Sequence, residues 1–300
     1  MSKPAPTLEV KRDLNDTRLS YSSYQTVKGC EQKYWHYKIN DTPKDSDYVD
    51  EKESLMLGKA FHSILEFTRH TDNNLAEGIK LAQSAYGDFI EEDKMALVVA
   101  MVKTYLKAKN NHEKFKTLEP VGVEVAIEDD EFLGFVDVVF KDESGSWFIG
   151  DLKTTARQSE NLKARLEMDA QLNLYSNYRE QIADKLGLDV TKFSGSLYIT
   201  TNKTTTKRKA GEKLSDYVTR LEPAIETRVY VVPFSQEKAN WVHVDFLGWH
   251  SRTKGLRKGS KPDRNYSRCE DYFSPCPYFS QCHGHNYSEA TLETWSSNEL

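Results

Sequence analysis

Two short apolar stretches joined by a tight turn constrain the fold of this chain more than any other part of its sequence. FLGFVDVVF at 132–140 and SWFIGDLKTT at 146–155 are rich in β-branched and aromatic residues, which is typical of strands. Between them, the letters ESG suit a three-residue hairpin loop with Gly145 in the left-handed conformation. In the register that this loop sets, Asp137 is predicted to lie directly opposite Asp151.

Opposed carboxylates in an apolar hairpin predict a bound cation. Like charges directly opposite each other destabilise a sheet, and carboxylates beside buried valine and phenylalanine lose hydration unless a partner replaces it. Two carboxylates on neighbouring strands can share one Mg²⁺. Lys153 lies two residues beyond Asp151 and projects from the same face, where it could orient water or stabilise developing charge. An Asp–Lys pair alone is more often a surface ion pair, so the opposition to Asp137 is what favours a metal site.

Predicted helices supply three further candidates for the same site. His62 lies on the amphipathic stretch 55–70, where apolar residues recur at helical spacing. Gln171 and Tyr175 stand four residues apart in the helical segment 159–185 and therefore share one helix face. Taken singly, a helical histidine is more often packed or exposed, and a Gln–Tyr pair is more often a helix surface with a half-buried ring.

Taken together, these residues resemble the PD-(D/E)xK nuclease superfamily, most of all its RecB-type branch, which includes λ-type phage exonucleases and iron–sulfur nucleases of CRISPR adaptation. The resemblance covers roughly residues 55–180. It implies a restriction-endonuclease-like core, DNA as substrate, and Mg²⁺ or Mn²⁺ as cofactor. Glu124 lies one predicted strand earlier. It is equally well a further acidic residue of the site or a solvated residue of its strand. Carried over residue by residue, the resemblance makes His62, Asp137 and Asp151 metal ligands, Lys153 the catalytic lysine, and Gln171 and Tyr175 a helix motif that supports the site and contacts DNA.

The four cysteines of the chain are its second distinctive feature. Three crowd near the C-terminal end with the spacing C-x6-C-x5-C, and the fourth precedes the predicted nuclease core. Four thiolates suit either a tetrahedral zinc ion or a 4Fe–4S cluster, and the spacing departs from the usual C-x2-C pairs of zinc sites. In a zinc site, His283 or His285 could replace a thiolate. Iron–sulfur members of the resembled branch carry one cysteine before the core and three after it, which implies a 4Fe–4S cluster bound by Cys30, Cys269, Cys276 and Cys282.

Two basic stretches are candidates for contact with a phosphate backbone. The first lies at 202–213, and the second, at 252–268, carries seven basic residues against Asp263 alone. Both contain glycine and hydroxyl residues, which is typical of mobile loops that follow nucleic acid. Each alone is equally well a solvated loop, and the nuclease resemblance favours DNA contact. The residues predicted to contact DNA are Lys203, Lys207, Arg208, Lys209, Arg257 and Lys258.

Composition sets bounds on location and partners. The chain has 300 residues, of which 41 are basic and 46 acidic, and its net charge of -5 is unlike that of a passive nucleic-acid coat. No apolar run approaches the roughly 20 residues that span a bilayer, and the N-terminus lacks the apolar region of a signal peptide. We therefore expect a cytoplasmic protein without a membrane partner.

The order of predicted elements indicates an α/β fold. Helices come first, then three strands, a helical segment, two more strands and a late helix, which favours a mixed central β-sheet flanked by helices. A helical N-terminal layer and a C-terminal cysteine-cluster tail complete it. We predict a flexible lead-in at 1–18 and one nuclease domain at 19–300. The parts of that domain are a helical part with Cys30 at 19–117, the core sheet and helices at 118–250, and the basic stretch and cysteine cluster at 251–300.

These features predict a metal-dependent DNA nuclease, most simply an exonuclease that processes DNA ends. The resemblance implies a role in recombination or repair, as in phages, with a single-strand annealing recombinase as partner. Two rival functions stay open. One is a catalytically silent, DNA-binding iron–sulfur subunit of a recombination complex, and the other is a single-strand endonuclease for CRISPR spacer processing.

Overall fold

The computed structural model describes residues 16–45, 53–156, 161–271 and 274–284. These residues form two compact units. Unit 2 combines the N-terminal described segment with the chain from Phe246 onward, and unit 1 contains the chain between them. The predicted lead-in at 1–18 falls almost wholly outside the described residues. The single nuclease domain predicted at 19–300 stays a prediction, because the two units are defined by compactness and not by function.

Unit 1 is built on a five-stranded mixed sheet. The strands are β1 (Glu119–Glu128), β2 (Leu133–Lys141), β3 (Trp147–Thr155), β4 (Phe193–Asn202) and β5 (Thr227–Pro233). They lie side by side in chain order, with β3 and β4 parallel and the other neighbours antiparallel. A parallel pair needs a long crossover, which the helical segment between β3 and β4 supplies. The predicted α/β fold with a mixed central sheet is confirmed.

Helices flank this sheet and make up most of unit 2. They are α1 (Tyr21–Gly29), α2 (Glu31–Tyr34), α3 (Glu53–Thr68), α4 (Leu75–Tyr86), α5 (Glu92–Asn111), α6 (Leu162–Leu166), α7 (Ala170–Ser176), α8 (Arg179–Leu186), α9 (Leu214–Leu221), α10 (Gln236–Arg257) and α11 (Phe279–His283). Short turns of other helix types lie at Trp35–Ile39, Val190–Lys192, Glu222–Ala224 and Tyr266–Arg268, and a two-stranded ribbon pairs β6 (Glu270–Asp271) with β7 (Ser274–Pro275). None of the helices described is both long and apolar enough to cross a membrane.

Two predicted helical segments are interrupted in the structure. The segment predicted at 19–40 breaks at Cys30, whose φ of -162° and ψ of 112° are extended, so that α1 ends before the cysteine and α2 begins after it. The segment predicted at 159–185 is divided into α6, α7 and α8. Conversely, the late segment 238–253, which alternates in part like a strand, is helical throughout within α10.

The apolar core of unit 1 joins the inner strands to the long helices. Phe61 and Ile64 of α3 belong to the same buried cluster as Val138 and Phe140 of β2. Gly58 of α3 packs against β3, where a Cβ atom would lie in ordinary contact with Thr154 Oγ1 at 3.4 Å. One turn later, His62 Nδ1 lies 3.8 Å from Asp137 Oδ1 of the hairpin.

The hairpin between β2 and β3 has the predicted register. Gly145 has a φ of +83°, and Val138 pairs with Gly150 as the three-residue loop requires. The ladder stops at that pair, one residue before Asp137 and Asp151. Beyond it, Asp137 Oδ2 accepts a hydrogen bond of 2.7 Å from the backbone N–H of Leu152. The two aspartates therefore lie at the open end of the pairing and do not form a ladder pair.

A buried histidine lies close to this core. His70 is 3% exposed, has a φ of 59°, and its Nδ1 atom lies 2.8 Å from the hydroxyl of Tyr105. Burial lowers the pKa of His70 to about 3, with the charges of His62 and Lys109 acting in the same direction. The folded protein therefore holds this imidazole neutral at pH values where the unfolded chain would protonate it.

We predict that His70 makes the fold sensitive to mild acid. Because its folded pKa lies below its unfolded value, stability is lost as the pH falls through about 6.5, by about 2 kcal/mol at pH 5. His70→Gln should remove most of this loss between pH 7 and 5 in urea unfolding. Tyr105→Phe is the matched control, since it lowers stability but keeps the buried imidazole and hence the pH slope. Equal slopes in wild type and His70→Gln would contradict the assignment.

Candidate active site

One group of metal-ligating side chains gathers at the open end of the hairpin. His62, Glu124 and Asp137 each offer a ligand atom, and these atoms all lie within 4.8 Å of one another. His62 Nδ1 is 3.8 Å from Asp137 Oδ1. Two carboxylates and an imidazole suit Mg²⁺ or Mn²⁺. The structure thus brings together two of the three predicted metal ligands and adds Glu124, whose role the sequence leaves open.

The backbone of β1 explains how Glu124 reaches this group. Its neighbours Val123 and Val125 pair with Val138 and Val136, so Glu124 stands across from the residue between those two, which is Asp137. Glu124 has a φ of 48°, a left-handed conformation that is uncommon for a residue with a side chain. Strain of this kind in a strand is typical of functional positions.

Burial raises the pKa of Glu124 to about 7, with the carboxylates of Asp137 and Glu66 acting in the same direction. Glu66 lies one helical turn after His62 on α3 and lines the same pocket. Like-charge repulsion therefore acts among the carboxylates of Glu124, Asp137 and Glu66 at this end of the sheet. A divalent cation would relieve it.

Asp151 is not part of this group of three, and its predicted role as a metal ligand stays a prediction. Its Oδ1 atom accepts a hydrogen bond of 2.8 Å from Lys153 Nζ, and its Oδ2 atom is buried with no hydrogen-bond partner among the residues that the structure describes. Burial raises the pKa of Asp151 to about 7, against the opposing effect of the Lys153 charge and with the support of Asp137. An unpartnered buried carboxylate oxygen is costly, and a cation is the natural partner for it.

Lys153 connects the acidic residues to the crossover helices. Its Nζ atom also donates a hydrogen bond of 3.1 Å to Gln171 Oε1. Burial alone would lower the pKa of Lys153, but the carboxylates of Asp151 and Asp137 outweigh burial and raise it. Since the side chain is still 39% exposed, its ammonium group can reach a bound anion.

The start of α7 holds Gln171 in place. Asp169 caps this helix by accepting hydrogen bonds from the backbone N–H groups of Gln171 and Leu172. Tyr175, one turn later, hydrogen-bonds Gln171, and burial raises the pKa of its phenol to about 12. With 6% exposure, Tyr175 supports Gln171 and offers little surface to a DNA strand.

The basic stretch of unit 1 begins beside the end of β3. The backbone N–H of Lys203 donates a hydrogen bond of 2.7 Å to the carbonyl of Thr155. Lys207 and Lys209 are exposed. Arg208 instead contacts Asp93 at 3.1 Å and Glu92 at 3.3 Å. These ion pairs connect the basic stretch to α5. The guanidinium of Arg208 is therefore already paired with carboxylates, which the sequence does not indicate.

The basic stretch of unit 2 is similarly mixed. Arg257 is half-buried, and its Nη2 atom donates a hydrogen bond of 3.0 Å to the carbonyl of Asp16. It also hydrogen-bonds the phenol of Tyr34. Lys258 is exposed and keeps its predicted availability. The guanidinium of Arg257 is therefore hydrogen-bonded within unit 2, whereas the sequence predicts that it contacts DNA.

The four cysteines line one pocket of unit 2 and form no disulfide. Cys269 Sγ lies 3.5 Å from His283 Nε2, and Cys282 Sγ lies 4.0 Å from the Nε2 atom of His36, which the sequence does not single out. His285 lies outside the described residues. Among the side chains described at this pocket, no three ligand atoms lie within 4.8 Å of one another, whereas thiolates on one zinc ion lie about 3.8 Å apart.

Comparisons with known proteins bear on the family and the fold of this chain. A sequence model of the PD-(D/E)XK nuclease superfamily matches residues 18–283. Among solved structures, the chain is similar to a protein from Eubacterium rectale provisionally described as an exonuclease, with 13% identity, a TM-score of 0.52, and 98% of this chain and 97% of that chain covered. At that identity the likeness supports the fold alone. A second structure, of SSO0001, covers 67% of this chain and 79% of its own at 12% identity and a TM-score of 0.23, which supports no argument. No curated protein matches significantly.

We predict that Glu124 binds a divalent cation together with His62 and Asp137. Glu124→Gln removes a charged ligand and should weaken Mn²⁺ binding to the intact protein about tenfold or more, as measured by calorimetry. The matched control is Glu119→Gln, since Glu119 is an exposed residue on the same strand. Equal Mn²⁺ affinity in both variants would show that Glu124 is a solvated strand residue.

Proposed function

Because this chain belongs to the PD-(D/E)XK nuclease superfamily, we propose that it is a metal-dependent deoxyribonuclease that hydrolyses phosphodiester bonds, most simply as an exonuclease at DNA ends. The observation that carries this proposal is the buried, unpartnered Oδ2 atom of Asp151 beside a lysine that already holds its other oxygen. A purely structural ion pair would satisfy both oxygens.

The residues present fit a hard divalent cation. His62, Glu124 and Asp137 would hold Mg²⁺ or Mn²⁺ with the free oxygen of Asp151 as a further ligand. When bound, the ion supplies Lewis-acid polarisation of the scissile phosphate. Oxygen and imidazole donors of this kind match what the resemblance assigns to the family.

The remaining residues orient the reacting groups. Lys153 is protonated and partly exposed, so it can hold the attacking water and stabilise negative charge that develops on the phosphate. Gln171 fixes the Lys153 ammonium through its amide oxygen, and Tyr175 fixes Gln171 in turn. Asp169 sets the position of both by capping α7.

The loop after β4 is positioned to guide DNA toward this site. The strands β3 and β4 are parallel, and Lys153 pairs with Thr200. The loop after β4 therefore leaves the sheet at the same end as β3. We assign phosphate contacts to Lys203, Lys207 and Lys209, with Arg208 as the anchor of the loop on α5. The sequence offers no base-reading motif, so cutting without sequence preference is expected.

We place this activity in the cytoplasm, in DNA recombination or repair, with a single-strand annealing recombinase as partner. The resemblance to phage exonucleases supports this, and the provisional description of the Eubacterium rectale protein as an exonuclease is compatible with it. DNA is the substrate that the superfamily implies.

We predict that Asp151→Asn and Lys153→Ala each reduce cleavage of end-labelled DNA in Mg²⁺ by about 10² or more, because each removes a charge needed in the transition state. DNA binding should survive in both variants. The exposed residues Asp130 and Lys114 provide matched controls as Asp130→Asn and Lys114→Ala.

Substrate shape separates the alternatives in the same assay. Degradation of linear DNA with circular DNA intact supports an exonuclease, whereas cutting of circular single strands supports an endonuclease of the spacer-processing type. Wild-type protein that binds DNA but cleaves neither substrate would make the chain a silent DNA-binding subunit.

We further propose that Cys30, Cys269, Cys276 and Cys282 bind a structural 4Fe–4S cluster in unit 2. Four free thiols that line one pocket support a shared site, and the resemblance to iron–sulfur members of the family is what favours a cluster over zinc. Burial raises the pKa of Cys276 to about 11 in the metal-free state, so a bound metal would be needed to hold its thiolate.

We predict that the protein purified without oxygen contains iron and labile sulfide in near-equal amounts. Cys30→Ser should bleach the visible absorbance and lower the temperature of unfolding, because Cys30 and the C-terminal trio close a very long loop. One zinc per chain without sulfide would refute the cluster but keep the shared site. Four thiols that titrate freely in the native protein would refute both.

A further inference from the structure

An exposed tyrosine on a braced turn stands out in unit 2. Tyr266 opens the turn Tyr266–Arg268, and its side chain is 66% exposed. Asn265 braces this turn, since its Oδ1 atom accepts hydrogen bonds from the N–H and hydroxyl of Ser267 and its Nδ2 atom donates to the carbonyl of Gly29. The ring meets the His283 ring in an edge-to-face contact, with 6.2 Å between the ring centroids, and most of its surface is open to solvent.

Basic side chains lie at the same pocket as this ring. Lys33, Arg264 and Arg268 line the cysteine pocket together with Tyr266. The guanidinium of Arg264 donates to a neutral acceptor, the carbonyl of Cys282 at 3.1 Å, so this contact leaves its positive charge uncompensated. The chain as a whole has a net charge of -5, yet three basic side chains line the pocket at which Tyr266 lies.

We propose that the turn Tyr266–Arg268 is a second nucleic-acid site, at which single-stranded DNA stacks a base on Tyr266 while Arg264 and Arg268 hold the adjacent phosphates. The proposal rests on the proposed function in taking DNA as the ligand. It goes beyond that function because it adds a site in unit 2, outside the acidic group of unit 1.

Single-stranded DNA fits this surface better than duplex. Bases of a duplex are stacked inside the helix and cannot lie on a protein ring, whereas unpaired bases stack on exposed aromatics at basic grooves. A protein partner would need a far wider apolar surface than one ring surrounded by asparagine, serine and arginine. For an exonuclease, binding of the unpaired strand would keep the enzyme bound to a partly digested DNA end.

The test measures DNA binding without cleavage, in the full-length protein carrying Asp151→Asn, in EDTA, by fluorescence anisotropy. The probes are an oligo(dT) of about 15 nucleotides, long enough for one typical single-strand site, and a blunt hairpin duplex. Tyr266→Ala should weaken oligo(dT) binding about fivefold or more and leave duplex binding unchanged. Tyr266→Phe should keep the affinity because it keeps the ring, and Tyr266→Leu should lose it.

Two controls separate stacking from general damage. Phe89→Ala removes an equally exposed ring, 62% exposed, from the acidic neighbourhood of Glu91 and Asp93, and should not affect oligo(dT) binding. Arg264→Ala with Arg268→Ala should reduce the log–log salt slope for oligo(dT) by about 1.4. The temperature of unfolding checks that each variant is folded, whatever metal the cysteine site holds.

The outcomes for this site and for the nuclease can be told apart. Unchanged oligo(dT) affinity in Tyr266→Ala and Tyr266→Leu would overturn the site, even if the wild type cleaves DNA. Equal loss for oligo(dT) and duplex would also overturn it. Tyr266-dependent binding by a wild type that cleaves no DNA would support the site while refuting the nuclease function.

Discussion

A carboxylate held inside a sheet with only one of its oxygens satisfied is the constraint around which unit 1 is arranged. Leaving Asp151 Oδ2 unpartnered costs roughly 1–3 kcal/mol, which the apolar core around β3 has to outweigh. Lys153 offsets the charge of Asp151 only in part, since its ammonium group also donates a hydrogen bond to Gln171. The charges that act on Asp151 come from Asp137 of the hairpin, from Lys153 on its own strand and from Asp169, which caps α7.

The sequence predicts the sheet and most of this site because local rules determine them. Turn chemistry fixes the hairpin register, and alternating apolar residues fix which face is buried. The role of Glu124 escapes such rules, because its left-handed backbone cannot be read from VGVEVAI. That Asp151 lies outside the group of His62, Glu124 and Asp137 also depends on three-dimensional packing, since the ladder between β2 and β3 ends one residue before Asp137 and Asp151.

Counting basic residues in the sequence overstates the charge that is available to a ligand. Arg208 is tied to Asp93, 115 positions away, and Arg252 forms a twofold hydrogen-bonded pair with the buried carboxylate of Glu31 at 2.7 and 2.6 Å. Burial would raise the pKa of Glu31, but Arg252 and the backbone N–H of Asp263 lower it. Such ion pairs join parts of each unit that are distant in the sequence, so their arginines have a structural role. No local sequence pattern distinguishes these arginines from ones that bind phosphate.

The left-handed conformation of Glu124 has a consequence for how the protein can evolve. A side chain in that conformation costs about 1–3 kcal/mol, and a carboxylate beside two others adds repulsion. Glycine would adopt the same backbone without strain and carry no charge. Selection for heat resistance alone would therefore favour glycine at this position, which would remove the proposed ligand.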